Sequence, residues 1–274
     1  MNEANQQLVA MMESVWRSIG ELCDGLTEAE WKTPTDCPGW TVQDQVSHLA
    51  GSETGILGDP DPDHTPSEET LAHTRSDQGR RNEIVVDWRR PWAGAQVLSD
   101  FRAKTARRME FLRSRSDDDF DAEMQTPVGQ APMSEFISIR IMDAWVHEQD
   151  IRRALNRPGH YDSPAAAHAL NRIIRAMPFV AARRAQAPDG ATVALDISGT
   201  AGRRIAIGVE GGRGRELEQA PGNPTVRIGL DAETFGCLGC GRWDPDEALQ
   251  SGRVSIEGDR HLGESIVRQM NIMP

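Results

Sequence analysis

The hydrophobic period of this chain changes once, near residue 190, and that change sets what the chain can fold into. Upstream, apolar residues recur every three or four positions. Leu8, Met12, Val15, Ile19, Leu22 and Leu26 form such a series, which is the stripe of a bundle helix. Downstream, Val193, Leu195 and Ile197 alternate with polar or small residues. So do Ile205, Ile207 and Val209, and then Val226, Ile228 and Leu230. Period two means strands with one buried face. The expected fold class is therefore an all-helical bundle domain followed by a small α+β domain. The expected boundaries are 1–185 and 190–274, with Ala185-Gln186-Ala187-Pro188-Asp189-Gly190 as the linker.

Within the first part, helices are expected at about 5–26, from Thr41 onward, at 95–115, at 134–157 and from Ser163-Pro164 to about 184, the last kinked at Pro178. Thr41 followed by Asp44 is a variant of the capping box. Residues 58–76 are rich in Asp, Pro and His, which predicts an exposed loop with His64 and His73 solvated. The stretch 78–92 has no clear period, although Ile84, Val85, Val86 and Trp88 require burial. In the second part, helices are expected at 232–240, after Asp244-Pro245, and at 262–270, with a further strand at 254–256.

The fourth helix carries the chemistry. Arg140, Asp143, His147 and Asp150 follow 3-4-3 spacing, an ionisable stripe beside the apolar stripe of Ile137, Ile141, Ala144, Ile151 and Leu155. A bundle helix that buries both stripes must satisfy the polar groups. A divalent metal is the simplest partner, since imidazole and carboxylate at i, i+4 make a half-site. His48 lies at the flank of the apolar face of Val42, Val46, Leu49 and Ile56, where it is placed to complete the set. Three protein ligands from two helices leave a coordination position open, the catalytic pattern. Asp150 either orients His147 or pairs with Arg152 or Arg153.

Composition narrows the classes. The chain has 274 residues, 38% of them hydrophobic, and 30 basic against 42 acidic residues for a net charge of −12. That balance argues against nucleic acid or an anionic membrane as the main partner. No apolar run is long enough to span a bilayer, and the N-terminus reads as polar. Four scattered cysteines, Cys23, Cys37, Cys237 and Cys240, fit a reducing, cytoplasmic setting. Cys237 and Cys240 form a C-x-x-C pair with no second pair at zinc-finger spacing and read as core. Trp40 and Trp145 either line a pocket or fill the core. His160, His168, His261 and Tyr161 show no partner pattern.

The segments from Trp31 to Val42 with His48-Leu49, from Asp143 to Leu155, from Leu238 to Arg242, and Gly258-Asp259 resemble the mycothiol-dependent maleylpyruvate isomerase family. The resemblance implies a DinB-like four-helix bundle that binds a divalent metal and a small C-terminal α/β domain of sterol-carrier-like type. It implies His48, Asp143 and His147 as metal ligands, with Asp143 standing where the characterised pattern has glutamate. It implies zinc or another divalent ion, mycothiol as the small-molecule thiol, and an electrophilic substrate. It also implies a basic residue of the second domain that holds a substrate carboxylate, Arg242 first and Arg260 second. The expected activity is S-transfer or maleylpyruvate-type cis-trans isomerisation. The competing expectations are a hydrophobic-ligand carrier with a structural metal site and a metal-dependent hydrolase.

Overall fold

The computed structural model describes residues 1–127 and 129–273. The chain packs as two compact units, residues 1–159 and 160–273.

In the first unit the elements run α1 (Glu3–Leu22), α2 (Glu28–Trp31), α3 (Val42–Ile56), α4 (Glu68–Leu71), α5 (Asp77–Asp87), α6 (Gly94–Arg113) and α7 (Asp117–Asp121). An antiparallel hairpin of β1 (Glu123–Thr126) and β2 (Gly129–Pro132) follows, then α8 (Met133–Ala154). The four long helices close a ring: α1 lies on α8, α8 on α3, α3 on α6, and α6 on α1. The expected periodicities supply the core, with Val15, Ile19, Val46, Leu49, Phe101, Leu112, Ile141 and Trp145 almost fully buried. Burial of each such side chain contributes about 1.5–3 kcal/mol. The unassigned stretch 78–92 is mostly α5, which packs tightly on α3. A Cβ on Gly51 of α3 would lie 2.4 Å from the Val85 side chain of α5.

The entry into α3 is held from several sides. The Thr41 hydroxyl accepts from the Asp44 amide, and the Asp44 carboxylate accepts from the Thr41 amide at 2.9 Å. The Val42 amide donates to the Thr33 carbonyl and the Thr35 amide to the Trp40 carbonyl, closing the preceding loop into a narrow ladder. Gly39 turns this loop at φ +78°, and a side chain there would run into the His73 ring at 2.7 Å. Glycine is therefore required both for its backbone angle and for its lack of volume. The result is a fixed position for Trp40 at the head of α3.

The second unit begins with α9 (Pro164–Phe179), capped by Ser163 and widened at Val180–Arg184 into a π-turn after Pro178. There follow β3 (Thr192–Ser198), β4 (Arg204–Glu210), β5 (Arg213–Glu216), β6 (Val226–Asp231), α10 (Ala232–Gly239), α11 (Pro245–Gln250), β7 (Ser255–Gly258) and α12 (Arg260–Arg268). The sheet order is β5-β4-β3-β6-β7, parallel between β3 and β6 and antiparallel elsewhere. Helix α9 packs on β4 and β5, α10 on β3 and β6, and α12 on β6 and β7.

The division between units lies near 159/160, upstream of the 185–190 linker expected from sequence. The reason is α9. Its Ile173 comes close to Gly239 of α10, so its apolar stripe serves the sheet unit. A helical period says that a face is buried but not against what. Among the described residues, no helix is long and apolar enough to cross a membrane.

Candidate metal centre

Helices α3 and α8 bring His48, Asp143 and His147 together. One donor atom from each lies within 4.8 Å of the others. His48 Nε2 is 3.4 Å from Asp143 Oδ2, and His147 Nε2 is 3.5 Å from Asp143 Oδ1. The two imidazole rings meet edge to face, with centroids 4.7 Å apart. Both histidines are buried and the aspartate nearly so.

These separations bear on whether a metal fits. Donors bonded at about 2.0–2.1 Å to one tetrahedral ion stand roughly 3.3–3.4 Å from one another. Each imidazole nitrogen stands at about that spacing from one carboxylate oxygen, His48 from Oδ2 and His147 from Oδ1, and both distances are long for direct hydrogen bonds. The protonation states also fit. Burial pushes the His48 imidazole down to about 4, so it is a neutral ligand near pH 7. Burial opposes the charge on Asp143, but Arg140 foremost, then His147 and His48, outweigh it and hold the carboxyl well below the usual range. His48 Nδ1 is buried without a hydrogen-bond partner.

A ring of polar groups fixes these three. His147 Nδ1 lies 2.5 Å from Gln45 Oε1 and 3.5 Å from Asp150 Oδ2. Asp150 also accepts from Arg153 Nη2 at 2.6 Å, so both roles considered for it are present at once. Arg140 Nη1 donates to Asp143 Oδ2 at 2.7 Å, while its other nitrogens reach Glu53 Oε1 at 3.1 and 3.3 Å. Glu53 in turn faces Arg108 at 3.3 Å. Arg140 is thus a clamp that keeps Asp143 ionised and in place. Trp40 covers the pair, its ring 5.1 Å from His48 and 5.7 Å from His147. Its indole N–H donates to the fully buried Glu83 at 2.9 Å.

Glu83 also meets Arg90 at 2.6 Å and His73 at 3.2 Å, and His64 meets Asp87 at 2.7 Å. The expectation that His64 and His73 are solvated is therefore corrected. Both are tied to α5, whose carboxylates a polar sequence pattern does not advertise. Gln45 and Glu53 were also missed. Gln45 stands three residues before His48, a spacing that shares its helix face. Trp145 fills the core.

Arg242 and Arg260 belong to the second unit. Arg242 is half-buried, its amide donating to the Cys237 carbonyl and its Nη1 to the Cys240 carbonyl at 3.0 Å. Arg260 is 81% exposed and pairs with Glu264 at 2.8 Å. Cys23, Cys237 and Cys240 are buried, and none of the four cysteines is in a disulfide. Burial raises the Cys23 thiol to about 12, which makes it unreactive.

Two family models match this architecture. The mycothiol maleylpyruvate isomerase N-terminal domain matches residues 12–152, just over half the chain, and the corresponding C-terminal domain matches residues 167–265. The chain belongs to the mycothiol maleylpyruvate isomerase family. Among solved structures, the crystal structure of the mycothiol-dependent maleylpyruvate isomerase aligns with a TM-score of 0.57 at 16% identity, over 94% of this chain and 96% of that one. A histidine-to-alanine mutant of that isomerase aligns at 0.54 and 15%, over 94% and 96%. At these identities the likeness is one of fold. Among curated proteins, two uncharacterized proteins of Mycobacterium tuberculosis, from strains CDC 1551 and H37Rv, are each 26% identical over 162 residues. The match covers 58% of this chain and 62% of each relative.

Proposed function

We propose that this protein is a mycothiol-dependent enzyme whose His48, Asp143 and His147 hold a divalent metal ion, zinc by choice of donors. The observation that carries the reading is the convergence of two imidazole nitrogens on one ionised carboxylate at 3.4 and 3.5 Å. When bound, such an ion supplies an open position for a thiol sulfur and lowers the pKa of that thiol, so that the nucleophilic thiolate exists near pH 7.

The chain's own residues prepare the site. Gln45 and Asp150 hold the His147 ring by its Nδ1, leaving Nε2 for the ion. Arg140 keeps the Asp143 carboxylate charged. Trp40 shields both rings from water, and Glu83 fixes the indole. The reaction class best supported by membership of the family is cis-trans isomerisation of a maleylpyruvate-type diacid. S-transfer to an electrophile uses the same thiolate. Arg242 is the residue assigned to a substrate carboxylate, because its guanidinium is partly buried and braced by a carbonyl, whereas Arg260 is exposed and already paired.

The test is metal analysis joined to thiol binding. Purified wild type is expected to carry close to one divalent ion and to gain thermal stability from mycothiol but not from glutathione. His48→Ala, His147→Ala and Asp143→Ala are expected to lose most of the ion while staying helical by circular dichroism, and Asp143→Glu to keep it. Full metal content in both histidine variants would refute the site. Conversion of maleylpyruvate only when mycothiol is present, followed by NMR, separates isomerisation from S-transfer, in which the thiol is consumed.

A further inference from the structure

A cavity of about 290 Å³ opens between α3, α5 and α8, one helical turn from the candidate ligands. Gly51, Ser52 and Gly55 border it on α3, at three, four and seven residues beyond His48. Phe136 and Arg140 border it on α8, at seven and three residues before Asp143. Arg140 is the physical link, lining the cavity while donating to Asp143 at 2.7 Å. A molecule lying here could therefore place one end at the metal centre.

Its walls say what kind of molecule. Gln78, Arg81 and Asn82 stand at i, i+3 and i+4 on α5, so they share one face. They are already ordered as a row: Gln78 donates to Asn82 at 2.8 Å, and Arg81 donates to Gln78 at 3.0 Å. Amide and guanidinium groups arranged this way offer donors and acceptors at close intervals, which matches hydroxyls that both give and take hydrogen bonds. The lining carries both signs of charge: Asp61 is there as well as Arg81, and Arg140 is engaged by Glu53 and Asp143. Beneath the polar groups, Ile56, Val85 and Phe136 supply apolar surface for the C–H face of a ring. The combination suits a neutral, hydroxyl-rich ring system. It suits a peptide with two carboxylates less, because Arg140 is already held by two carboxylates and Asp61 would face the second anion.

We infer that this cavity seats the amino-sugar and inositol body of mycothiol, with Gln78, Arg81 and Asn82 reading its hydroxyls while the sulfur end reaches toward His48 and His147. The inference rests on the proposed thiol dependence, and adds where selectivity for a glycosidic over a peptidic thiol is built.

Gly55 provides the test. It lies on α3 at the cavity rim, and a Cβ built there meets nothing within 4 Å. Gly55→Phe therefore adds bulk at the cavity rim from a Cβ that meets no protein atom, and a side chain at a helical glycine favours the helix. Isothermal titration on the metal-loaded protein uses mycothiol, glucosaminylinositol (the same body without sulfur) and glutathione. Wild type is expected to bind the first tightly, the second more weakly and the third not at all. Gly55→Phe and Asn82→Ala should each weaken the first two by about tenfold or more, with metal content unchanged. Gly55→Ala should bind as wild type does. If mycothiol binds wild type, Gly55→Phe and Asn82→Ala equally, the cavity is not its seat, although the thiol reading stands. If wild type takes up metal but no mycothiol, the thiol reading falls and this inference with it.

Discussion

Between Met1 and Gly159 the buried side chains include Asp44, His48, Glu53, Glu83, Arg89, Arg108, Arg140, His147, Glu148 and Asp150; between His160 and Met273 the buried polar side chain among the described residues is Thr234 alone. Both units close an apolar core, yet only the helical one has placed ions inside it. Buried ion pairs add little net stability compared with apolar packing, because desolvation offsets the attraction. Their presence on one side of the division therefore points to a purpose other than holding the fold together. The charges form connected sets around the same few residues. One runs Arg108–Glu53–Arg140–Asp143, and another links Arg90, Glu83 and Trp40. The helical unit is built to fix a site, and the sheet unit is built to pack.

The contrast can be broken most sharply at Arg140. Arg140→Leu leaves Glu53 and Asp143 without their shared cation and should lower stability by about 3–5 kcal/mol, measured by denaturant unfolding of metal-free protein. A cost near zero would mean that the charges are solvated and the contrast is false. The matching lesion in the sheet is Ile228→Ala, at a fully buried position in β6. It should cost about 2–5 kcal/mol through cavity formation alone, with no dependence on pH or salt.

Acid should separate the units next. His48 has its folded pKa near 4, below the unfolded value of about 6.5. The unfolded state therefore binds protons more readily. The stability held above pH 6.5 is lost as pH falls toward 4, by roughly 3 kcal/mol in metal-free protein. Asp143, also depressed, adds loss in the same direction at lower pH. Amide exchange should show α3 and α8 opening before β3 and β6. Trp40→Phe has a smaller effect: it removes the indole donor from buried Glu83 and should cost about 1–3 kcal/mol. The smallest expected effect on folding is at Arg242. Arg242→Lys should leave stability and metal content unchanged and depress turnover strongly, while Arg260→Lys should change neither. Loss of turnover at Arg260 instead would reverse that assignment.

The same contrast explains what could be read from sequence. Apolar period found α1, α3, α6, α8 and the strands β3, β4 and β6, because burial of Val, Ile and Leu is a one-residue property. The ionisable stripe put Asp143 and His147 on one face of α8, and the apolar period of α3 put His48 at its flank, since helix positions fix which way side chains face. What period does not carry is partnership between polar residues. Glu83, His73 and Gln45 look like ordinary solvated residues until another helix supplies a buried counterpart. The hairpin β1–β2 and strand β5 were missed because Gln125, Gln130, Arg213 and Arg215 show no apolar alternation. The fate of α9 needed three dimensions outright.

Strand β5, short and written as Arg213-Gly214-Arg215-Glu216, has one more consequence. It forms one margin of the sheet, and β7, with exposed Ser255 and Glu257, forms the other. Each margin is only four residues long and presents charged or polar side chains, so an approaching strand from another chain would have to strip water from ions to add on. The sheet unit is thereby guarded against edge-to-edge association by residues that lie outside its core. Replacing Arg213 and Arg215 by valine would leave the fold intact on paper and turn that margin into a seed for aggregation.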